Sequence, residues 1–106
     1  MPKFLISATY TTEGVKGVQS GGGTARVEAV SQAVEGLGGR VESFYFAFGD
    51  RDVFAIAELP DDDTMAAIAL SINRSGLVQI KTTVLLTPEQ IDRAADRAPM
   101  YRRPGG

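Results

Sequence analysis

Hydrophobic positions recur along this chain with two periods, and the changes between them mark the elements. Phe4 to Thr11 alternates: Phe4, Ile6, Ala8 and Tyr10 share one face, and Leu5, Ser7, Thr9 and Thr11 the other. That predicts a first strand with a small, hydroxyl-rich second face. Thr12 to Gly23 is dense in glycine, which disfavours a regular helix. A short helical turn from Val15 to Ser20 and a flexible joint at Gly21-Gly22-Gly23 are expected there. Thr24 then reads as the N-cap of a full helix, with Val27, Val30, Val34 and Leu37 as its apolar stripe. Arg26, Glu28, Gln32 and Glu35 are read as pointing elsewhere. Gly36, Gly38 and Gly39 end it.

A second strand is expected from Arg40 to Phe48 and a third from Val53 to Leu59, joined by the turn Gly49-Asp50-Arg51-Asp52. Pro60-Asp61-Asp62-Asp63-Thr64 starts a helix whose buried stripe is Met65, Ile68, Ala69 and Ile72, with Gly76 as its stop. A fourth strand runs from Leu77 to Leu86. Thr87-Pro88-Glu89-Gln90 carries a capping threonine, a proline at the first helical position and a glutamine placed for a capping box. A short helix to Arg97 should follow, and Ala98 to Gly106 reads as a loose tail.

Strand, helix, strand, strand, helix, strand is the split βαβ order of a ferredoxin-like α+β fold. Right-handed crossovers place the helices on one face of a four-stranded antiparallel sheet. Residues 1–97 then form one domain, with an extra C-terminal helix, and 98–106 a flexible tail.

The hairpin from Phe44 to Leu59 does not fit a sheet with one wet face. Phe44, Phe46 and Phe48 lie on one side and Tyr45 and Ala47 on the other, so both are apolar. Helices can cover only one. A second copy of the chain is the expected cover, with Phe44, Phe46 and Phe48 as candidate interface residues in a homodimer or larger homo-oligomer. Each buried phenylalanine contributes about 1.5–3 kcal/mol.

Composition narrows the chemistry. The 106 residues carry 11 basic and 13 acidic side chains, and no histidine, cysteine or tryptophan. Disulfides, thiolate nucleophiles and thiolate metal sites are excluded, and so is the usual neutral-pH general base. No metal and no cofactor is expected. Charges are interspersed, without the basic stripe that binds nucleic acid. No run is apolar enough to span a membrane, and the N-terminus enters a strand pattern at once. A cytoplasmic protein is the expectation.

Three groups of residues are candidates for a site. Gly49-Asp50-Arg51-Asp52 could bind a polar ligand or a hard cation, although glycine and aspartate also suit a plain turn, the better explanation. Gly21-Gly22-Gly23-Thr24 could offer amides to an anion but lacks the lysine and spacing of a P-loop, and a joint explains it better. Tyr10, with Thr9, Thr11, Thr12 and Lys16, forms a polar set at the end of the first strand. Ser71 and Arg74, one turn apart on a helix, could face the same space. Lys81, inside a strand, reads as a rim residue pairing with Glu42 or Glu58 across a dimer.

Nearly the whole chain, from about Lys3 to Ala95, resembles the GYD domain family, a dimeric α+β barrel form of the ferredoxin-like fold. The likeness rests on Phe4-Leu5-Ile6-Ser7-Ala8-Thr9-Tyr10-Thr11, on Glu13-Gly14 with Lys16-Gly17, and on Leu37-Gly38-Gly39. It rests further on Ser43-Phe44-Tyr45 with Phe48-Gly49-Asp50, and on Lys81-Thr82-Thr83-Val84-Leu85-Leu86-Thr87. In the family's glycine, tyrosine, aspartate signature Gly49 and Asp52 match, and Arg51 stands where the aromatic ring usually is. The resemblance implies fold and dimer more than activity. Barrel relatives place ligands between sheet and helices, near the end of the first strand. They include cofactor-independent monooxygenases and isomerases. Two functions therefore stand side by side. One is a homodimeric binding or accessory protein for a small molecule. The other is a cofactor-independent enzyme acting on a small, partly aromatic substrate. Candidate ligand-binding residues are Tyr10, Lys16, Tyr45, Asp50 and Ser71.

Overall fold

The first strand, β1 (Lys3–Tyr10), lies inside an antiparallel sheet between β3 (Val53–Glu58) and β4 (Val78–Leu85), with β2 (Arg40–Phe46) outside β3. This computed structural model describes all residues from Met1 to Gly106. The order β2-β3-β1-β4 is the ferredoxin-like arrangement. Each crossover is helical. The first carries two helices, α1 (Thr12–Gly21) and α2 (Gly23–Gly36), and the second carries α3 (Asp62–Arg74). A last helix, α4 (Pro88–Arg97), follows β4 and buries none of its residues.

Alternation decides the core. Phe4, Ile6 and Ala8 of β1 are buried, as are Val53, Ala55 and Ala57 of β3 and Val78 of β4. Cross-strand register puts these on one face: Phe4 pairs with Ala57, Ile6 with Ala55, and Ala8 with Val53 and Ile80. The main cluster joins Phe4, Ile6 and Ala57 to Val34 of α2, Met65 and Ile68 of α3, and Leu59. A smaller one of Ala8, Val53 and Val78 lies nearer the end of β1, with Tyr10, Phe44 and Ile72 packed against it.

The helix starts follow from short polar side chains. Asp61 Oδ1 accepts from the Thr64 amide at 2.8 Å, and Asp62 and Asp63 occupy the first turn of α3. Thr87 and Gln90 form the capping box, with Pro88 opening α4. The first crossover departs from the sequence reading. Thr12 to Gly21 is a complete helix, not a turn and a joint. Thr11 caps it, its hydroxyl accepting from the Gly14 amide at 3.2 Å. Thr24 caps nothing. Gly22, at φ +85°, separates the two helices and opens α2. Gly14 lets α1 approach the sheet: a Cβ there would collide with the Leu77 carbonyl oxygen.

The face of β2 is also corrected. Phe44 pairs with Ala55 and Phe46 with Val53, so both rings lie on the helix-covered side, 5.4 Å apart and tilted by 56°. Phe44 packs on the Ala8, Val53, Val78 cluster, and the Phe46 ring lies against Gly23 of α2. Phe48 falls beyond the end of β2 and is fully exposed. None of the three therefore belongs to the open face of the sheet. A bulge between Val41 and Ser43 causes this. It inserts one extra residue and reverses the alternation, so Val41 and Phe44 share a face. The open face instead carries Leu5, Ile56, Phe54 and Tyr45, with Leu85 on β4.

Candidate functional site

The cleft is built from small residues at helical spacing. Gly14, Gly17, Val18 and Gly21 follow the i, i+3, i+4, i+7 pattern on α1, and Gly22 at the joint repeats it with Ala25, Arg26 and Ala29 of α2. These two faces look across at Ser71, Ile72 and Ser75 near the end of α3. The floor is Tyr10, the last residue of β1, with Leu77 and Val78 at the start of β4. Side chains that stop at Cα or Cβ cannot fill the gap between the helices. A cleft of about 440 Å³ results. Methyl groups added at Gly17, Gly21 or Gly22 would meet nothing within 4 Å.

Behind it lies a second, smaller hollow of about 40 Å³ between the sheet and helices α2 and α3. Tyr10, Arg26, Ile72 and Val78 border both spaces. The deeper one is otherwise apolar, walled by Ala8, Phe44, Val53 and Ile68 among others. A molecule in the cleft therefore meets an apolar inner end beside one guanidinium and one phenol.

The polar groups differ in how far they are engaged. The Ser75 hydroxyl donates to the Ile72 carbonyl at 2.7 Å and accepts from the Leu77 amide at 3.2 Å, so it closes α3. Arg26 takes part in none of the ion pairs, which are Lys3 with Glu42 and Glu58, Lys16 with Glu13, and Arg40 with Glu58. No Asp or Glu lines either space.

Of the residues expected from sequence, Tyr10 and Ser71 meet in this cleft. Lys16, Tyr45 and Asp50 do not. Lys16 sits on the outer side of α1, 3.3 Å from Glu13. Tyr45 is on the open face of the sheet, 71% exposed. Asp50 is exposed at the hairpin tip. Arg74 is exposed and outside the lining. Arg26 is the residue sequence reasoning placed on the wrong side. It continues the Val30, Val34 stripe at a spacing of four, and Leu37 does not. The small-residue repeat through Gly14, Gly17 and Gly21 was the available signal for the cleft.

The hairpin turn is a fastening, not a pocket. Asp52 Oδ2 accepts from the Tyr10 amide at 2.9 Å, and the Asp52 amide donates to the Ala8 carbonyl at 2.8 Å. Arg51 Nη1 donates to Thr9 Oγ1 at 3.2 Å. The arginine at the signature position thus lies against the end of β1. The carboxylates expected to meet Lys81 are engaged within the chain: Glu42 with Lys3 at 3.0 Å and Glu58 with Arg40 at 2.6 Å. Hydrogen bonding from Arg40 holds the Glu58 carboxyl below the usual range.

No set of three metal-ligating side chains converges in the chain, and no helix is long and apolar enough to cross a membrane. Comparison with curated proteins and with solved structures gives no match. The sequence model described as the GYD domain matches residues 4–95, so the chain belongs to that family.

Proposed function

We propose that this GYD-domain chain is a homodimeric binding protein for a small, largely apolar organic molecule, held in the cleft between α1, α2 and α3. One observation carries the reading: a cleft of about 440 Å³, backed by an apolar hollow and bordered by a few converging polar groups. Its volume lies in the range of roughly 300–1,000 Å³ common to ligand sites. Gly17, Gly21 and Gly22 line it with nothing within 4 Å of where a Cβ would stand, so that part of the wall leaves room for a ligand.

The polar groups favour holding over chemistry. Arg26 and the hydroxyls of Tyr10 and Ser71 are hydrogen-bond donors, and the hydroxyls also accept. General acid–base catalysis needs a group within reach whose protonation changes near the working pH, and a guanidinium does not supply one.

The dimer rests on the open sheet face. Leu5 is paired with Ile56, Phe54 with Tyr45, and Phe54 is 42% exposed. Apolar side chains contiguous across three strands form the kind of patch that marks an interface. Packing it on a second copy would bury it and leave the cleft, on the other side of the sheet, open to ligand.

Amide chemical shifts of labelled protein, followed during addition of a mixed library of small aromatic and aliphatic molecules, test the site. Perturbations should gather at Gly17, Val18, Ala25 and Ser71. Perturbations confined to the open sheet face, or none at all, would remove this reading.

A further inference from the structure

The cleft is electrically one-sided. Fourteen residues line it, and Arg26 is the sole ionised side chain among them. The chain as a whole carries more acidic than basic residues, 13 against 11, yet none of those carboxylates borders the cleft or the hollow behind it. Arg26 is half-buried and lines both spaces together with Ile72 and Val78, and a cation beside apolar walls attracts an anion more strongly than one in bulk solvent. It also has no carboxylate of its own to satisfy it, since every ion pair in the chain lies elsewhere.

We propose that the ligand is an organic carboxylate with an apolar body, and that Arg26 is the anchor for its carboxylate group. The inference rests on the cleft being the binding site. Position 26 fits the role. Arg26 stands where α2 borders both spaces, so a carboxylate paired with it leaves the rest of the molecule to choose between the apolar hollow and the glycine wall. Planar guanidinium donors match the two oxygens of a carboxylate. Tyr10 and Ser71 border the same space and supply further hydroxyl donors. An uncharged isostere of the same ligand would keep the apolar contacts and lose the ion pair. It should therefore bind more weakly.

Two nearly isosteric probes separate the terms of the proposal: 1-naphthaleneacetate and its neutral amide, measured by calorimetry on the full chain. The acid should bind about tenfold more tightly than the amide, a preference of the size expected for one charge-assisted pair. The preference should shrink as salt is raised. Arg26→Gln should bring the acid close to the amide's affinity and weaken the amide much less than the acid, and Arg26→Lys should restore part of the preference. Gly17→Leu, whose Cβ would meet nothing within 4 Å, adds a side chain to the cleft wall and should weaken both probes. Equal affinities in the unaltered protein overturn the carboxylate inference and leave the cleft reading standing, a comparison that needs no variant to fold. A preference that survives Arg26→Gln does the same. If neither probe binds, or Gly17→Leu affects neither, both readings fail.

Discussion

The carboxylate of Asp52 accepts a hydrogen bond from the backbone amide of Tyr10 at 2.9 Å, across 42 positions of sequence. One partner belongs to the β2–β3 turn and the other is the floor of the cleft. The same turn residue donates its own amide to Ala8, so Asp52 fastens the end of β1 twice. Asp52→Ala removes the acceptor and leaves a half-buried amide unpaired. It should cost about 1–3 kcal/mol in denaturant unfolding. Because Tyr10 is displaced, probe affinity in the cleft should fall as well. Asp52→Asn, which keeps an acceptor, should lose less in both measurements.

Neighbouring glycines of α1 should respond in opposite directions. Gly14→Ala drives a Cβ into the Leu77 carbonyl oxygen, the same oxygen that accepts from the Thr11 amide at 2.9 Å. Backbone on both sides must move, and a loss of about 1–3 kcal/mol is expected from such overpacking. Gly17→Ala meets nothing within 4 Å and gains helix propensity. It should raise stability by up to about 1 kcal/mol. Thermal unfolding of the two variants against the unaltered protein checks the pair.

Phe54 tests the dimer. It stands on the open face beside Tyr45 and Ser7, away from the core. Phe54→Glu should therefore give a folded monomer in sedimentation, with cleft binding retained. Phe46→Glu should not behave this way, because that ring, though 44% exposed, lies against Gly23 and Phe44 on the helix-covered side, and the variant should lose stability. An unaltered chain that sediments as a monomer at micromolar concentration would defeat the dimer proposal.

Acid sensitivity should trace to two carboxyls. Glu58 is held low first by the hydrogen bond from Arg40, and Asp61 first by the Thr64 hydroxyl and then by the Thr64 amide. Groups with depressed folded values contribute fully above their unfolded values, about 4. The contribution is lost as pH falls through the lower folded values. Urea midpoints should thus be flat from neutrality down to about pH 5 and decline below it. Glu58→Gln and Asp61→Asn should each make that decline shallower. An unchanged acid slope in both variants would count against the assignment.

The first strand, the cap at Thr87, the helix start within Pro60–Thr64, and the stripe Met65, Ile68, Ala69, Ile72 were legible because each is a local pattern with a local cause. That Tyr10 and Ser71 would face one space was legible because strand ends and helix faces are placed by topology. Lys16, Tyr45 and Asp50 were attractive for their chemistry, and nothing in their spacing said which side of the sheet or helix they would take. The glycine-rich stretch looked too flexible for a helix. In the fold Thr11 caps it locally and the Leu77 carbonyl docks its start from across the sheet, and these bonds together outweigh propensity.

Alternation and capping in the sequence determined the order of elements, their layering and the composition of the core. Only the tertiary structure decided which face of the hairpin meets the helices. Phe44 and Phe46 offered an apolar face, and so did Tyr45 with Ala47; hydrophobicity alone could not choose. The bulge between Val41 and Ser43 chose, by adding one residue to β2 opposite β3 and turning Phe44 and Phe46 inward. A side-chain period of two makes every face depend on register, and register is a property of the partner strand as much as of the strand itself.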